Sequence, residues 1–143
     1  MPSDTTDIFA QTVDLARRWI DDIKGETGWD AQRALGALRA VLHVLRDRLS
    51  NEEAADLAAQ LPILVRGLYY EGWRPAVHPL KYRHKEDFLQ RVAEHLPGLD
   101  EIDYEPAVRA VFRTLARHVT AGEIQHVIHQ LPADVQDLWS IKL

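Results

Sequence analysis

The chain has 143 residues, of which 46% are hydrophobic and 27% charged, with a formal net charge of −5 and no cysteine. These values predict one soluble globular domain over residues 1–143 and exclude disulfides, thiolate nucleophiles and cysteine-ligated metal sites. Because neither a signal-peptide pattern nor a long apolar run occurs, the sequence predicts a cytoplasmic protein with no membrane partner, and its acidic balance disfavours nonspecific nucleic-acid binding.

The first predicted helix covers residues 8–23, where apolar side chains recur with helical spacing and form one face. The residues of this face are Phe9, Val13, Ala16, Ile20 and Ile23. Gly25 and Gly28 predict the end of the helix, because glycine readily adopts the left-handed conformation that follows a helix.

A second helix is predicted to begin after Asp30, whose side chain can accept a hydrogen bond from the first turn. Its apolar face consists of Leu35, Leu38, Leu42, Leu45 and Leu49. Ser50-Asn-Glu-Glu53 then forms a capping box, in which the serine and the glutamate each pair with a free backbone N–H group at a helix start. A third helix follows, and Pro62 predicts the first turn of a short fourth helix.

The pattern of the second to fourth helices occurs twice in the chain. Residues 37–69 align without a gap on residues 107–139, and 11 of the 33 positions are identical. The second segment has its own capping box, Thr120-Ala-Gly-Glu123, and its own Gln-Leu-Pro turn. Internal repetition of this kind predicts a duplicated structural unit. We therefore expect Glu53 and Glu123 to be structural residues that cap their own helices.

The first helix also has a predicted counterpart, because the Phe-x-Gln-x-Val pattern of residues 9–13 recurs at residues 88–92. The offset is 79 rather than 70, which predicts a connection nine residues shorter in the second copy. The predicted fold class is all-α, a helical bundle built from two tandem four-helix repeats with pseudo-twofold symmetry. Repeat one covers residues 7–72 and repeat two residues 85–140, joined by a basic aromatic crossing at residues 66–85.

The crossing differs from the rest of the chain in charge and in aromatic content. Its residues sum to +4, whereas the other 123 residues sum to −9. Aromatic rings among cations can stack on bases or hold anionic ligands. Three interpretations stay open: a clasp that buries Trp73 between the repeats while its cations pair with acidic helix faces, contact with an anion or nucleic acid, and docking of another protein. The candidate surface consists of Tyr69, Tyr70, Trp73, Arg74, Lys81, Tyr82, Arg83 and His84.

Histidines in the second repeat suggest a metal site, but the pattern is incomplete. Glu123-x-x-His126 places two ligand types on one helix face, which is half of a di-iron carboxylate motif. A second such motif does not occur in the chain, so we expect no metal and no cofactor. A helix-turn-helix is disfavoured because the fourth helices offer few cations for a DNA groove. Serine-nucleophile and phosphate-loop patterns do not occur, which argues against catalysis.

The stretch from Arg33 to Pro75 contains Gln-Leu-Pro at residues 60–62 and Gly-Leu-Tyr-Tyr-Glu-Gly-Trp at residues 67–73. Together with Phe-Leu-Gln-Arg-Val at residues 88–92, this stretch resembles a known bacterial family, domain of unknown function 2267, and the two motifs carry most of the likeness. The resemblance covers nearly the whole chain and implies a small helical bacterial protein with no established activity. It therefore assigns no catalytic residue.

By elimination, the sequence predicts a noncatalytic cytoplasmic protein-interaction module that binds another protein or a second copy of itself. The alternative is a small-molecule or anion-binding protein, enzymatic or not, that uses residues 66–85. A ligand-binding protein should have a concave pocket lined by Tyr70, Trp73 and cations, whereas an interaction module should have an exposed apolar patch.

Overall fold

The computed structural model describes residues 4–75 and 79–139, and every regular element in these ranges is a helix. The helices are α1 (Asp4–Thr27), α2 (Ala31–Arg48), α3 (Asn51–Ala59), α4 (Ile63–Tyr70), α5 (Lys85–His95), α6 (Tyr104–His118), α7 (Ala121–Gln130) and α8 (Ala133–Gln136). Short 3₁₀ turns lie at Glu101–Asp103 and Asp137–Trp139. Because these described ranges contain no strand, the predicted all-α helical bundle is confirmed. None of the described helices combines the length and the apolar character that a membrane span requires.

Helices α2 and α6 form the centre of the bundle, because they contact each other and both contact α1 and α5. Phe112 of α6 lies between two aromatic rings, with its ring centroid 5.7 Å from that of Phe88 and 4.0 Å from that of Trp139. Burying side chains of this size contributes about 1.5–3 kcal/mol each, so this core is the principal source of stability. Its central residues are Leu38, Leu42, Leu45, Val111, Phe112 and Leu115.

The hydroxyl half of each predicted capping box is present. Ser50 Oγ accepts a hydrogen bond from the Glu53 amide at 3.1 Å. Thr120 Oγ1 accepts one from the Glu123 amide at 3.3 Å. Both bonds satisfy a backbone N–H group in the first turn of α3 or α7, which is why these helices begin where the sequence predicts.

The glutamate half of the capping-box prediction is wrong. The Ser50 amide donates to Oε1 of Gln130, and the Thr120 amide donates to Oε1 of Gln60, each at 3.0 Å. Each segment therefore receives part of its cap from the other segment. The carboxyl groups of Glu53 and Glu123 therefore do not cap the helices that these residues begin.

Helix α1 differs from its prediction at both ends. It begins at Asp4, before the predicted start at residue 8, and continues through Gly25 to Thr27. Gly28 ends the helix with a φ of 74°, and its amide donates to the Lys24 carbonyl oxygen at 2.8 Å. Glycine adopts this left-handed conformation without the strain that a side chain would cause. Gly28, and not Gly25, therefore ends the helix.

The predicted register of the first-helix counterpart is wrong. Phe9 is 66% exposed, whereas Phe88, which begins the same local pattern, is fully buried. The α1 residues buried in the manner of Phe88 and Val92 are Trp19 and Ile23, also four positions apart. Aligned on these buried pairs, the two helices have an offset of 69, and the connection in the second copy, residues 96–103, is longer than that in the first, residues 28–30, rather than nine residues shorter. The local pattern misled because five residues do not specify which turn of a helix reaches the core.

The corrected register leaves the first turns of α1 without a counterpart. Lys85, the first residue of α5, corresponds to Ala16, so residues 4–15 form an α1 extension. Its exposed apolar residues are Ile8, Phe9, Val13 and Leu15. The pseudo-twofold symmetry of the two repeats stays a prediction. Residues 76–78 of the crossing and residue 140, the predicted end of repeat two, lie outside the described residues.

Candidate functional site

The aromatic residues of the crossing pack inward. Tyr69 is fully buried in α4, and its hydroxyl donates to the Ala54 carbonyl oxygen at 2.9 Å. Burial raises the pKa of Tyr69 above its usual range. Tyr70 and Trp73 are partly buried against the core, with ring centroids 5.3 Å apart. Because these rings contribute to packing, the arrangement favours the clasp over a platform on which bases stack.

Tyr82 lies between two arginines. Its ring is buried, and its centroid is 5.4 Å from the guanidinium carbon of Arg48 and 5.0 Å from that of Arg91. Arg48 Nε also donates to the Tyr82 carbonyl oxygen at 3.1 Å. Burial raises the pKa of the Tyr82 hydroxyl, although the two arginine charges oppose that shift. These contacts hold Arg48, the last residue of α2, beside the crossing.

The cations of the crossing form two groups. Lys85 is tied to the second segment, because its Nζ lies 3.4 Å from carboxylate oxygens of both Glu105 and Asp137. Its amide also donates to Asp134 Oδ2 at 2.6 Å. The pairing that the clasp interpretation predicts therefore holds for Lys85. Within residues 4–75 and 79–139, no ion pair involves the exposed side chains of Arg74, Lys81 and Arg83.

An apolar groove of about 760 Å³ lies between α5 and the start of α6. Its floor consists of Leu89, Ala93, Leu99, Ile102, Tyr104 and Pro106, and its polar lining of Glu86, Gln90, Glu101 and Glu105. The Tyr104 hydroxyl donates to the Leu96 carbonyl oxygen at 2.8 Å, which fixes that ring in the floor. Within this floor, Ile102 is 82% exposed. We call this feature the acidic groove.

The acidic groove lies in the most negative part of the chain. Residues 86–105 contain seven carboxylates and one arginine, a net charge of −6 against −5 for the whole chain. Glu105 is compensated by Lys85 at 3.4 Å and by Arg109 at 3.2 Å. Glu86 and Glu101 make no ion pair with any described residue. The rim therefore presents uncompensated negative charge around an apolar floor.

A second cavity, of about 500 Å³, lies where the crossing meets the turn between α7 and α8. Of the predicted site residues, Arg83 and His84 line it. Arg48, which the sequence analysis did not select, lines it as well, and no local pattern marks this residue apart from its place at the end of α2. We call this cavity the cationic pocket. Its remaining lining residues are Gln130, Leu131, Pro132, Ala133 and Asp134.

Glu53 and Glu123 meet where α3 contacts α7. Each is only 7% exposed, and Oε2 of each has no hydrogen-bond donor among the described residues. Burial, followed by the hydrogen bond and the charge of Glu53, raises the pKa of Glu123 to about 8. A hydrogen bond between two carboxyl groups requires a proton on one of them, so a raised pKa of Glu123 favours this contact. These glutamates are structural, but they join the two segments rather than cap their own helices.

A protein-family model described as Uncharacterized conserved protein (DUF2267) matches residues 16–138, which is most of the chain. The chain belongs to the DUF2267 family. The resemblance inferred from residues 60–73 and 88–92 is thereby confirmed. No curated protein matches the sequence. The DUF2267 match begins at Ala16, the counterpart of the first residue of α5, so the α1 extension lies outside it.

In this DUF2267 protein the ring of His95 lies edge-on to that of His43, with centroids 6.2 Å apart, whereas His118 and His126 each lie beside an acidic residue. His118 Nε2 is 2.7 Å from Asp22 Oδ2, and its ring stacks on Trp19 at 4.9 Å. His126 is exposed, with Nδ1 3.8 Å from Glu123 Oε1. In the described part of the chain, no three His, Cys, Asp or Glu side chains are arranged to hold a metal ion. His118 therefore packs against α1, and the Glu123-x-x-His126 pattern has no third ligand there.

A polar pair that sequence reasoning missed holds the C-terminal end of α4. His43 Nε2 lies 2.6 Å from the Leu68 carbonyl oxygen. Arg46 Nη1 donates to the carbonyl oxygens of Tyr69 at 2.7 Å and Glu71 at 2.6 Å. Burial lowers the pKa of His43, which favours a neutral ring that donates through Nε2. The available signal was two polar residues one turn apart within the leucine-rich face of α2.

Proposed function

We propose that this chain is a noncatalytic protein-interaction module of the bacterial cytoplasm, and that its acidic groove binds a basic amphipathic helix of a partner protein. The observation that carries this proposal is the apolar floor inside an acidic rim. The floor can bury the apolar face of a helix, as in other helix-in-groove complexes. The rim attracts cations on the flanks of that helix and repels acidic competitors.

The charge of the groove also argues against its occupation by a second copy of the chain through the α1 extension. That extension has an exposed apolar face, but residues 4–15 contain three aspartates and no cation. Like charges across an interface oppose association. A partner with lysine or arginine beside its apolar stripe fits the groove better.

A labelled model peptide tests the proposal. The probe is a fluorescein-tagged helical peptide with leucine on one face and lysine on its flanks, and its affinity is measured by fluorescence anisotropy. Ile102→Asp should weaken binding at least about tenfold, because it places a charge beside the apolar floor. Ile63→Asp is the matched control, since Ile63 is 65% exposed on α4 and does not line the groove.

Charge reversal tests the rim separately. Glu86→Lys with Glu101→Lys should weaken peptide binding and reduce its dependence on salt. Asp14→Lys with Asp21→Lys makes the same change in net charge on the exposed surface of α1 and should have little effect. An equal loss of peptide affinity in both double variants would show that binding depends on net charge alone and would contradict the proposal. Self-association of the protein that Ile102→Asp abolishes would assign the groove to a second copy, contrary to the proposal.

A further inference from the structure

The geometry of the cationic pocket points to a second binding site, independent of the acidic groove. We propose that this pocket binds a small organic oxyanion, a molecule in which a phosphate or carboxylate group is attached to an apolar body. The charged group is held by Arg48 and Arg83, and the apolar body lies on residues 131–133. The sequence alone assigns the anion-binding alternative to the whole of residues 66–85. The proposed site narrows it to the pocket that Arg48 and Arg83 line.

Neither arginine of the pocket, Arg48 or Arg83, makes an ion pair with any residue in the described ranges, in a chain whose net charge is −5. The one carboxylate in the lining belongs to Asp134, and its Oδ2 accepts the Lys85 amide at 2.6 Å. That bond directs the carboxylate to the start of α5 but leaves its negative charge in the lining. The proposed ligand is therefore held by side chains rather than by a helix end.

Arg48 is held in place by contacts within the chain. Its Nε donates to the Tyr82 carbonyl oxygen at 3.1 Å, and its guanidinium carbon lies 5.4 Å from the Tyr82 ring centroid. An arginine fixed in this way loses little side-chain freedom on binding, and its terminal nitrogens can donate to two oxygens of one anion. The guanidinium carbon of Arg91 lies 5.0 Å from the centroid of the same ring, outside the pocket lining.

The rest of the lining suits the body of a small molecule. Leu131, Pro132 and Ala133 come from the turn between α7 and α8 and provide apolar surface, while Gln130 offers an amide. A volume of about 500 Å³ falls within the usual range for small-molecule sites. The acidic groove, by contrast, repels anions, so the two sites select ligands of opposite charge.

Calorimetric titration of the full chain with phenyl phosphate, benzoate and inorganic phosphate tests the proposal. We expect saturable binding of phenyl phosphate or benzoate and weaker binding of inorganic phosphate, which lacks the apolar body. The preferred aromatic probe identifies the charged group as phosphate or carboxylate. Arg48→Gln and Arg83→Gln should each weaken that binding at least about tenfold, because each removes a charge-assisted hydrogen bond.

Matched controls distinguish a built site from general attraction to a basic segment. Arg74→Gln and Lys81→Gln remove exposed cations of the same crossing that do not line the pocket, and both should leave the affinity unchanged. Arg83 is exposed and makes no hydrogen bond or ion pair with any described residue, so Arg83→Gln remains informative even if Arg48→Gln disturbs folding. The proposal fails if no probe saturates up to about 10 mM, or if all four variants weaken binding equally.

Discussion

Helices α1 and α5 precede the two matched segments, and both pack on α2 and α6. Each buries an aromatic ring and, four residues later, a β-branched residue: Trp19 with Ile23 in α1, and Phe88 with Val92 in α5. Beyond this common contact the two helices differ. α1 extends N-terminally through residues 4–15 and exposes an apolar face, whereas α5 starts at Lys85 and leaves the cationic pocket open beside it.

This difference shows that burial depends on the position of a turn along the bundle and not on the local pattern. Phe9 and Phe88 begin the same five-residue pattern, yet one is exposed and the other is fully buried. Phe9 lies ten residues before Trp19, which places it about 15 Å further along the helix axis. The core ends before that turn is reached.

The largest expected effect separates these two phenylalanines. Phe88→Ala should lower the free energy of unfolding by about 3–5 kcal/mol, because it removes a buried ring and leaves a cavity. Phe9→Ala should change it by less than about 0.5 kcal/mol. Urea denaturation measures both. Trp19→Ala is the matched variant in α1 and should match Phe88→Ala; a loss as small as that of Phe9→Ala would mean that the corrected register is wrong.

The contact between α3 and α7, where the segments are most alike, should make stability depend on pH. The pKa of Glu123 is raised from 4.5 to about 8 in the folded chain, so the folded state holds more protons than the unfolded state between these values. The part of the stability that the raised pKa of Glu123 contributes is therefore fully present below about pH 4.5 and is lost as the pH rises through about 8. A shift of this size can amount to a few kcal/mol.

Glu123→Gln should flatten this pH profile, because the amide of glutamine donates to Glu53 at every pH. Thermal unfolding between about pH 5 and pH 8.5 measures the slope. Glu53→Gln should act in the same way, whereas Glu52→Gln, an exposed neighbour on α3, should keep the parent slope. A parent protein with no loss of stability over this range would contradict the raised pKa of Glu123.

The exchanged glutamine caps should have moderate and equal effects. Gln60→Ala and Gln130→Ala each remove one hydrogen-bond acceptor for a helix start in the other segment. Each should lower the free energy of unfolding by about 0.5–1.5 kcal/mol in urea denaturation. Gln125→Ala removes an exposed glutamine of α7 and should have no effect. If only one of the two cap variants were destabilising, the segments would differ at this contact.

Deleting residues 1–14 should have only a small effect on stability. The side chains of this part of α1 described from residue 7 onward are mostly exposed, so the free energy of unfolding should fall by less than about 1 kcal/mol. Fluorescence of an apolar dye should fall as well, because the exposed apolar face is removed. A cooperative loss of folding would instead show that the α1 extension packs on the bundle.

The features that the sequence predicts are those with local signals. Helix positions from α2 onward follow from apolar spacing, and Ser50 and Thr120 mark helix starts because a hydroxyl caps its own turn. Gln60 and Gln130 could not be recognised as caps, since their partners lie in the other segment and a glutamine at a helix end has no distinctive pattern. Arg48 was missed for a similar reason, because its pocket is assembled from three separate parts of the chain.

The glutamine caps also have a consequence for the order of folding. They connect residues that are 80 and 60 positions apart, so neither bond can form until α3 and α7 have docked. Contacts between such distant residues carry a large loop-closure cost and tend to form late. The backbone amides of Ser50 and Thr120 are therefore natural reporters in hydrogen-exchange experiments. If the two halves of the molecule separate transiently, these two amides should lose protection together, while the amides inside α2 and α6 remain protected.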